Sequence, residues 1–274
     1  MKNRIWNSIL FTVFWVIGNL TAGICFFLFF YVFWRGREVV SADFIFGEPS
    51  GIPLGTEGGI FPALAGSVLS GLLSALIAGT VGIGAAAAAA FYPEKKVVRL
   101  LKLSIFGLSG IPSILFGLVA YTLLIYRLGL PRSLLSASAA VAAMMIPFIA
   151  IRAEKILIEK GEQWMRQSLV LGLSREYALR KIILPSCLSE LTGTTALAAA
   201  YGMGAVAPIL YTGVVIQAKV PSSPLQPFMS LPHHLYILIS NGYSEDYAYG
   251  SAFVLMLFLL LVHLLCRLLS FRSK

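Results

Sequence analysis

The sequence predicts an all-α, polytopic membrane protein with six transmembrane helices. Hydrophobic residues make up 58% of the 274 positions, charged residues make up 12%, and the mean hydropathy is +0.85. A soluble core of this length cannot enclose so much apolar surface, so the excess must face lipid. Several uncharged stretches reach the roughly 20 residues that a helix needs to cross a membrane. The alternating pattern of membrane β-barrels is not found in these stretches.

The predicted spans are apolar stretches separated by charged or turn-rich segments. The first follows Lys2 and Arg4 and exceeds signal-peptide length, so we interpret it as a retained anchor. The six spans are 6–34, 62–91, 101–126, 133–151, 188–211 and 250–269. Together they predict a single transmembrane domain over residues 1–274. A charged segment at 152–187 and a proline-rich segment at 212–249, which has room for one short helix, connect the later spans.

The basic residues predict the orientation in the membrane. The formal net charge of +9 is compatible with nucleic-acid binding, but the cations follow the membrane boundaries instead. With the N terminus inside, sixteen of the 21 Lys and Arg residues lie in cytoplasmic segments and five lie in outer segments. Cytoplasmic loops carry an excess of Lys and Arg. We therefore expect both termini in the cytoplasm, the lipid bilayer as the surroundings, and no nucleic-acid partner.

Small residues recur at every fourth position in two spans. Such stripes let helices approach closely, so they indicate either packing within the bundle or a face toward a partner subunit or pathway. The stripes are Ser67, Gly71, Ala75 and Gly79 in one span, and Thr192, Ala196, Ala200 and Gly204 in the other.

Cysteine and histidine patterns do not predict a metal site. Cys25, Cys187 and Cys266 lie in or beside apolar runs without metal-ligand spacing, so we interpret them as packing residues. His233 and His234 are adjacent, so their side chains would point in different directions. The sequence also lacks GxxxxGK[ST], the loop that binds nucleotide phosphates, and shows no convergent polar cluster typical of a membrane enzyme.

The charged segment 152–187 predicts a compact knob of two short helices. The pattern predicts one helix over 163–171, which ends at Gly172. Ser174 would cap a second helix that ends at Arg180. The knob combines apolar and aromatic side chains with a basic surrounding surface, which is typical of an anchor for a partner protein.

This segment resembles the cytoplasmic loop of permeases of ATP-binding-cassette importers. Gly172, Ile182, Leu184 and Pro185 match the spacing of the family's loop pattern, whereas other residues replace its initial Glu-Ala-Ala. The resemblance implies a coupling helix seated in a cleft of a separate ATPase, which would bind ATP and Mg, and no cofactor in this chain. The implied ATPase-coupling residues are Arg166, Gln167, Ser168, Gly172, Arg175, Glu176 and Pro185.

A second resemblance, spanning nearly the whole chain, is to the A-type permease of the phosphate-specific importer. It rests on Gly-Gly-Ile-Phe-Pro-Ala at 58–63, Ser-Gly-Ile-Pro-Ser-Ile-Leu-Phe-Gly-Leu at 109–118, and Ala-Pro-Ile-Leu-Tyr-Thr at 207–212. It implies the type I ABC-importer permease fold and phosphate import across a bacterial or archaeal cytoplasmic membrane. The implied partners are a C-type permease, two ATP-binding subunits and an extracytoplasmic substrate-binding protein.

The fifth span departs from that family. Tyr201 stands at the family's arginine position, and Ala205 and Val206 stand at its glutamate and threonine positions. A buried ion pair is costly unless both members are present, so a joint loss is physically consistent. An anion path would then depend on hydroxyls, backbone amides and helix N termini. The candidate pathway residues are Pro112, Ser113, Tyr201 and Ala205.

Two other functions remain open from the sequence. The permease could import another oxyanion such as tungstate, molybdate or sulfate, because the fifth-span departure weakens the assignment to phosphate. It could also be a non-transporting, permease-like scaffold or signalling subunit, because both the charge pair and the Glu-Ala-Ala start are missing.

Overall fold

A computed structural model describes residues 2–53 and 56–271. Helices dominate this part of the chain, and one two-stranded antiparallel hairpin lies before the second long helix. The helices are α1 (Lys2–Gly36), α2 (Ala42–Phe46), α3 (Phe61–Phe91), α4 (Lys96–Ser109), α5 (Ser113–Ala120), α6 (Leu134–Val170), α7 (Arg175–Ala178), α8 (Leu184–Met203), α9 (Leu231–Ser240) and α10 (Glu245–Phe271). The hairpin pairs β1 (Pro49–Ser50) with β2 (Glu57–Gly58). Two π-helical turns, Tyr121–Arg127 and Leu179–Ile183, extend α5 and join α7 to α8.

Five described helices are long and apolar enough to cross a membrane, and a bent helix pair supplies a sixth crossing if it counts as one span. In that pair, Lys96–Ser109 and Ser113–Arg127 are bent by 112°. The prediction of one straight span over 101–126 is therefore wrong. The break falls before Pro112, which lacks an N–H and disfavours a helical conformation in the residue preceding it.

Helices α3, α6 and α8 form the centre of the bundle. Ala78 on α3, Ala137 on α6 and Ala198 on α8 are fully buried in one cluster. The α3 stripe packs inside this chain, because a Cβ added to Gly79 would lie 2.8 Å from Cγ2 of Thr195 on α8. A partner-facing role for the α3 stripe is therefore wrong, and close packing within the bundle explains it.

Helix α6 is continuous for 37 residues and contains both the fourth predicted span and the first half of the predicted knob. The expected separation of a span over 133–151 from a short helix over 163–171 is therefore wrong. Between Pro147 and Val170 the chain has no second proline, and ion pairs one turn apart, such as Lys155–Glu159 at 3.7 Å, support the helix. The helix thus continues beyond the apolar stretch.

The helix after Ser174 also differs from the expectation. It does not end at Arg180 but passes through the π-helical turn directly into α8, where Pro185 occupies the first turn. Proline is tolerated there because the first N–H groups of a helix need no intrahelical partner. Helix α8 ends at Met203 with Gly204 as its C-cap, so the fifth crossing does not extend as helix to residue 211.

The first and last long helices pack against each other at the edge of the bundle. Arg35 and Glu245 form an ion pair of 2.7 Å, and the rings of Phe33 and Phe253 lie 4.9 Å apart. Most of the α1 surface faces outward and is apolar, as expected of a lipid-exposed helix. The segment 212–249 holds the expected short helix, which is α9.

Candidate functional site

The turn between α6 and α7, residues 169–178, is built by local hydrogen bonds. Gly172 adopts a φ of +77°, in the left-handed region that favours glycine. Its N–H donates to the Leu169 carbonyl at 3.0 Å, and the Leu173 N–H donates to the Ser168 carbonyl at 3.0 Å. This is a Schellman motif, which satisfies the last carbonyls of α6. Gly172 therefore ends the helix as its sequence context predicted.

Ser174 begins α7 as predicted. Its Oγ accepts a hydrogen bond from the Tyr177 N–H at 3.2 Å. Glu176 lies in the first turn of α7, where a negative charge interacts favourably with the helix N terminus. The two caps therefore define the path by which the chain reverses in the α6–α7 turn.

The tip of the α6–α7 turn exposes apolar side chains. Val170 is 88% exposed, Leu171 is 78% exposed and Tyr177 is 52% exposed. Directly behind them, Ala178 and Met165 are buried against the base of the bundle. Exposed apolar and aromatic side chains next to buried, packed residues have the composition of a protein-binding anchor.

The residues replacing Glu-Ala-Ala lie in three different environments. Arg166 is exposed and pairs with Glu162 on its own helix, and Gln167 is exposed. Ser168 is only 3% exposed, and its Oγ donates to the Trp164 carbonyl at 2.7 Å. Ser168 therefore faces the bundle rather than the exposed side of the helix, and its contact with an ATPase stays a prediction.

Arg175, Glu176 and Pro185 complete the set of predicted coupling residues. Arg175 turns back toward the end of α3, where Nη1 donates to the Phe91 carbonyl at 3.4 Å and lies 3.5 Å from Oε1 of Glu94. This contact gives Arg175 a role in holding the turn on the bundle. Glu176 and Pro185 are exposed.

Three of the four predicted pathway residues lie together along one groove. Ser113, Tyr201 and Ala205 line a cavity of about 620 Å³ between α5, α6, α8 and α10. A second cavity of about 570 Å³ shares Ser113, Tyr201, Met144 and Phe148 with it, so the two form one continuous groove. Pro112 is not among the groove-lining residues and serves as the N-cap position of α5.

Two sequence motifs of the phosphate-permease resemblance meet beside this groove. Gly117, in the 109–118 motif, approaches the backbone of the 207–212 motif so closely that an added Cβ would lie 2.7 Å from the Pro208 carbonyl oxygen. Ala207 and Pro208 also line the groove. A glycine is therefore required where α5 crosses the segment after α8.

Sequence reasoning missed two cations at one end of the groove. Arg152 and Lys155 line the cavity that also contains Ser109. The sequence places both just after an apolar stretch, where they were assigned only to the cytoplasmic segment. The missed signal is helical continuity, because residues three or four apart on an unbroken α6 share a face with Phe148. His263 of α10 was missed at the opposite cavity.

The chain was compared with known families, curated proteins and solved structures. The family described as "Binding-protein-dependent transport system inner membrane component" matches residues 78–274. The chain belongs to this family. It is 30% identical over 224 residues to a phosphate transport system permease protein PstA of Xylella fastidiosa, covering 80% of this chain and 77% of that protein. It is 25% identical to a probable ABC transporter permease protein, YqgI, of Bacillus subtilis, covering 97% and 96% of the two chains.

Solved transporters share the fold. A chain of the inward-facing MetNI methionine ABC transporter matches with a TM-score of 0.60 and 18% identity, covering 78% of this chain and 94% of that one. An amino acid ABC transporter matches with a TM-score of 0.58 and 16% identity, covering 77% and 92%. These matches confirm the predicted ABC-importer permease fold.

Family membership establishes the general function. The chain is a multi-pass inner-membrane permease subunit of an ABC importer, and such permeases are not enzymes themselves because ATP hydrolysis occurs in a separate subunit. Across the described residues, no group of three or more His, Cys, Asp or Glu side chains is arranged to hold a metal ion.

Proposed function

We propose that this permease forms half of a pathway for inorganic phosphate and is driven through the α6–α7 turn. The observation that carries the proposal is the meeting of the 109–118 and 207–212 motifs beside the groove, together with relatives named as phosphate permeases. The organisation of the groove supports an anion path.

The groove offers hydrogen-bond donors in place of the missing arginine at position 201. A phosphate that leaves water must exchange its hydration shell for donors, because burying an unpaired charge is very costly. The hydroxyls of Ser113 and Tyr201 lie along the shared part of the groove. Arg152 adds positive charge at the end nearer the α6–α7 turn, where Lys155 also lines the groove while pairing with Glu159. The second permease would line the other half.

The continuity of α6 supports a coupling mechanism. Helix α6 leads without a break from Met144 and Phe148 in the groove wall to Val170 beside the exposed tip. When the ATPase subunits close on ATP and Mg, a displacement of the tip would move the groove wall as part of the same rigid element. Such a displacement biases the equilibrium between outward-open and inward-open arrangements.

The assembly follows from the family and from the charge distribution. We infer a C-type permease, two ATP-binding subunits that bind to the α6–α7 turn, and an extracytoplasmic binding protein on the opposite side. The excess of Lys and Arg in the segments on the side of that turn supports cytoplasmic termini.

Uptake of labelled phosphate by the reconstituted complex in proteoliposomes tests the function. Gly172→Trp is the uncoupling variant, and Gly129→Trp is its matched control. Both glycines have a positive φ, +77° and +68°, and neither has an atom within 4 Å of an added Cβ. The two substitutions therefore impose similar backbone strain, but only the first alters the α6–α7 turn.

We expect ATP-dependent uptake of labelled phosphate. Excess unlabelled phosphate should compete with this uptake, whereas tungstate, molybdate and sulfate should not. Gly172→Trp should abolish uptake, and Gly129→Trp should preserve it. Competition by another oxyanion would reassign the substrate. ATP hydrolysis without uptake of any of these anions would contradict transport and favour a scaffold or signalling subunit.

A further inference from the structure

Helix α4 has a surface that the transport mechanism does not use. Two apolar residues, Val98 and Ile105, are 8% and 6% exposed and fix the inner side of the helix. Ile105 packs against Ala85 of α3 and Ala150 of α6. The position of α4 on the bundle is therefore set, and its opposite side faces outward.

The outward side of α4 combines cations with exposed apolar side chains. An open surface recess of about 660 Å³ is lined, among the described residues, by one helix, through Lys96, Arg99, Leu100, Lys102, Leu103 and Phe106. Leu100 is 64% exposed, Leu103 is 69% exposed and Phe106 is 50% exposed. An exposed patch of this kind, with charge and apolar area adjacent, indicates an interaction surface.

The cations and the apolar side chains are adjacent along the helix axis. Leu100 lies between Arg99 and Lys102, and Leu103 and Phe106 follow Lys102, over about 15 Å of helix in all. Lys102 is already neutralised by Glu154 of α6 at 2.6 Å. Lys96 and Arg99 have no ion-pair partner in residues 2–53 and 56–271, so they retain positive charge for a ligand.

Helix α4 points away from the axis of the helical segment that follows it. The two are bent by 112° at the break between Ser109 and Ser113. If Ser113–Arg127 runs along the membrane normal, α4 lies closer to the membrane plane than to the normal. Helices with basic and apolar sides that lie in this way are typical of the membrane interface.

We propose that α4 binds an anionic phospholipid, with the headgroup phosphate on Lys96 and Arg99 and the start of an acyl chain on Leu103 and Phe106. The two unpaired cations beside exposed apolar side chains match a lipid, which carries a charged headgroup next to hydrocarbon. A free phosphate ion would leave the two apolar side chains without a partner, and zwitterionic lipid would gain little from the two cations.

Native mass spectrometry of the purified importer complex tests the proposal. Phosphatidylglycerol is titrated against phosphatidylcholine with the same acyl chains, and the bound copies per complex are measured. Lys96→Gln/Arg99→Gln is the test variant, and Arg127→Gln/Arg132→Gln is the control, which removes the same charge at the other end of the α4–α5 pair. Inorganic phosphate is added in a third arm.

We expect the unmodified complex to prefer phosphatidylglycerol and the test variant to lose about 30-fold in affinity for it, whereas the control loses little. Leu103→Ser/Phe106→Ser should weaken both lipids. Equal phosphatidylglycerol binding in the test variant would overturn the proposal, as would an equal loss in the control. Displacement by inorganic phosphate would show a site for free anions instead. Absence of any preference in the unmodified complex would also overturn the proposal.

Discussion

The α6–α7 turn and the α9 junction, defined as residues 228–234, both lie between predicted spans, yet they are built in opposite ways. The turn is held by hydrogen bonds within ten residues and exposes Leu171 at 78%. The junction is buried, with Phe228 at 0% and Leu231 at 0% exposed. Its Leu231 N–H donates at 2.9 Å to Oγ of Ser67, which is 164 positions away in the sequence.

This contrast indicates that the stability of the chain and its binding to partners depend on different regions. At the junction each side chain contributes to the packing of α3, α9 and α10, so substitutions there should lower the free energy of unfolding. At the tip of the turn the side chains contact little of their own chain, so substitutions there should change partner binding alone. We therefore expect substitutions to have their largest effect on stability at the junction and their smallest at the tip of the turn.

The largest effect is expected at Gly66, where α3 crosses the junction. An added Cβ would overlap the Met229 carbonyl oxygen and lie 2.9 Å from a ring carbon of Phe228. Because the obstructing atom belongs to the backbone, the helices must separate, and we expect Gly66→Ala to cost about 3 kcal/mol. Chemical unfolding of the purified protein in micelles measures the loss.

Gly84→Ala in the same helix is the matched control. Nothing lies within 4 Å of a Cβ added there, so this variant should be as stable as the parent or slightly more stable. Equal unfolding curves for the two variants would show that α3 and the junction are not in close contact.

A pH effect should arise at the same junction. His234 is 7% exposed, and its Nε2 has no hydrogen-bond partner among the described residues. Burial, with a smaller contribution from His233, lowers the pKa of His234 to about 4. The unfolded chain therefore binds a proton at higher pH than the folded chain, near the ordinary value of about 6.5.

The stability contribution of the neutral imidazole is complete above pH 6.5 and declines as the pH falls toward 4. At pH 5 the loss should be about 2 kcal/mol relative to pH 8. In His234→Gln, the change between pH 8 and pH 5 should be smaller by that amount, with each variant compared with itself at pH 8. If the unfolding free energies of both proteins depend on pH in the same way, His234 binds a proton as readily in the folded state as in the unfolded chain.

The sequence predicted best what depends on neighbouring residues. Gly172 and Ser174 were assigned as helix stop and helix cap because both roles are fixed by backbone geometry over a few positions. The apolar stretches likewise predicted six crossings, since hydropathy reports length and composition; five are long apolar helices, and the bent pair makes the sixth if it counts as one span.

The features that the sequence did not predict depend on the orientation of helices and on contacts between residues far apart in the chain. Hydropathy does not report the orientation of a helix axis, so it predicts α4 and α5 as one span across the break at Pro112. The end of the fourth apolar stretch was read as the end of a helix, although nothing in residues 148–170 stops one. The groove depends on α5, α6, α8 and α10 together, so Arg152 and Lys155 could not be placed in it without the fold.

The smallest effect on stability, and the sharpest test of the comparison, is expected at Leu171. Because this side chain is 78% exposed on the tip of the turn, Leu171→Ser should change the free energy of unfolding by less than about 0.5 kcal/mol. As an apolar anchor in an ATPase cleft, it should contribute about 2 kcal/mol to binding, so the affinity for the ATP-binding subunits should fall about 30-fold.

Leu128→Ser is the control, since Leu128 is 69% exposed and follows the π-helical extension of α5, away from this turn. Full ATPase affinity in Leu171→Ser would place the coupling contact elsewhere on the turn. A loss of affinity together with a large loss of stability would show that the tip is part of the folded core, like the α9 junction.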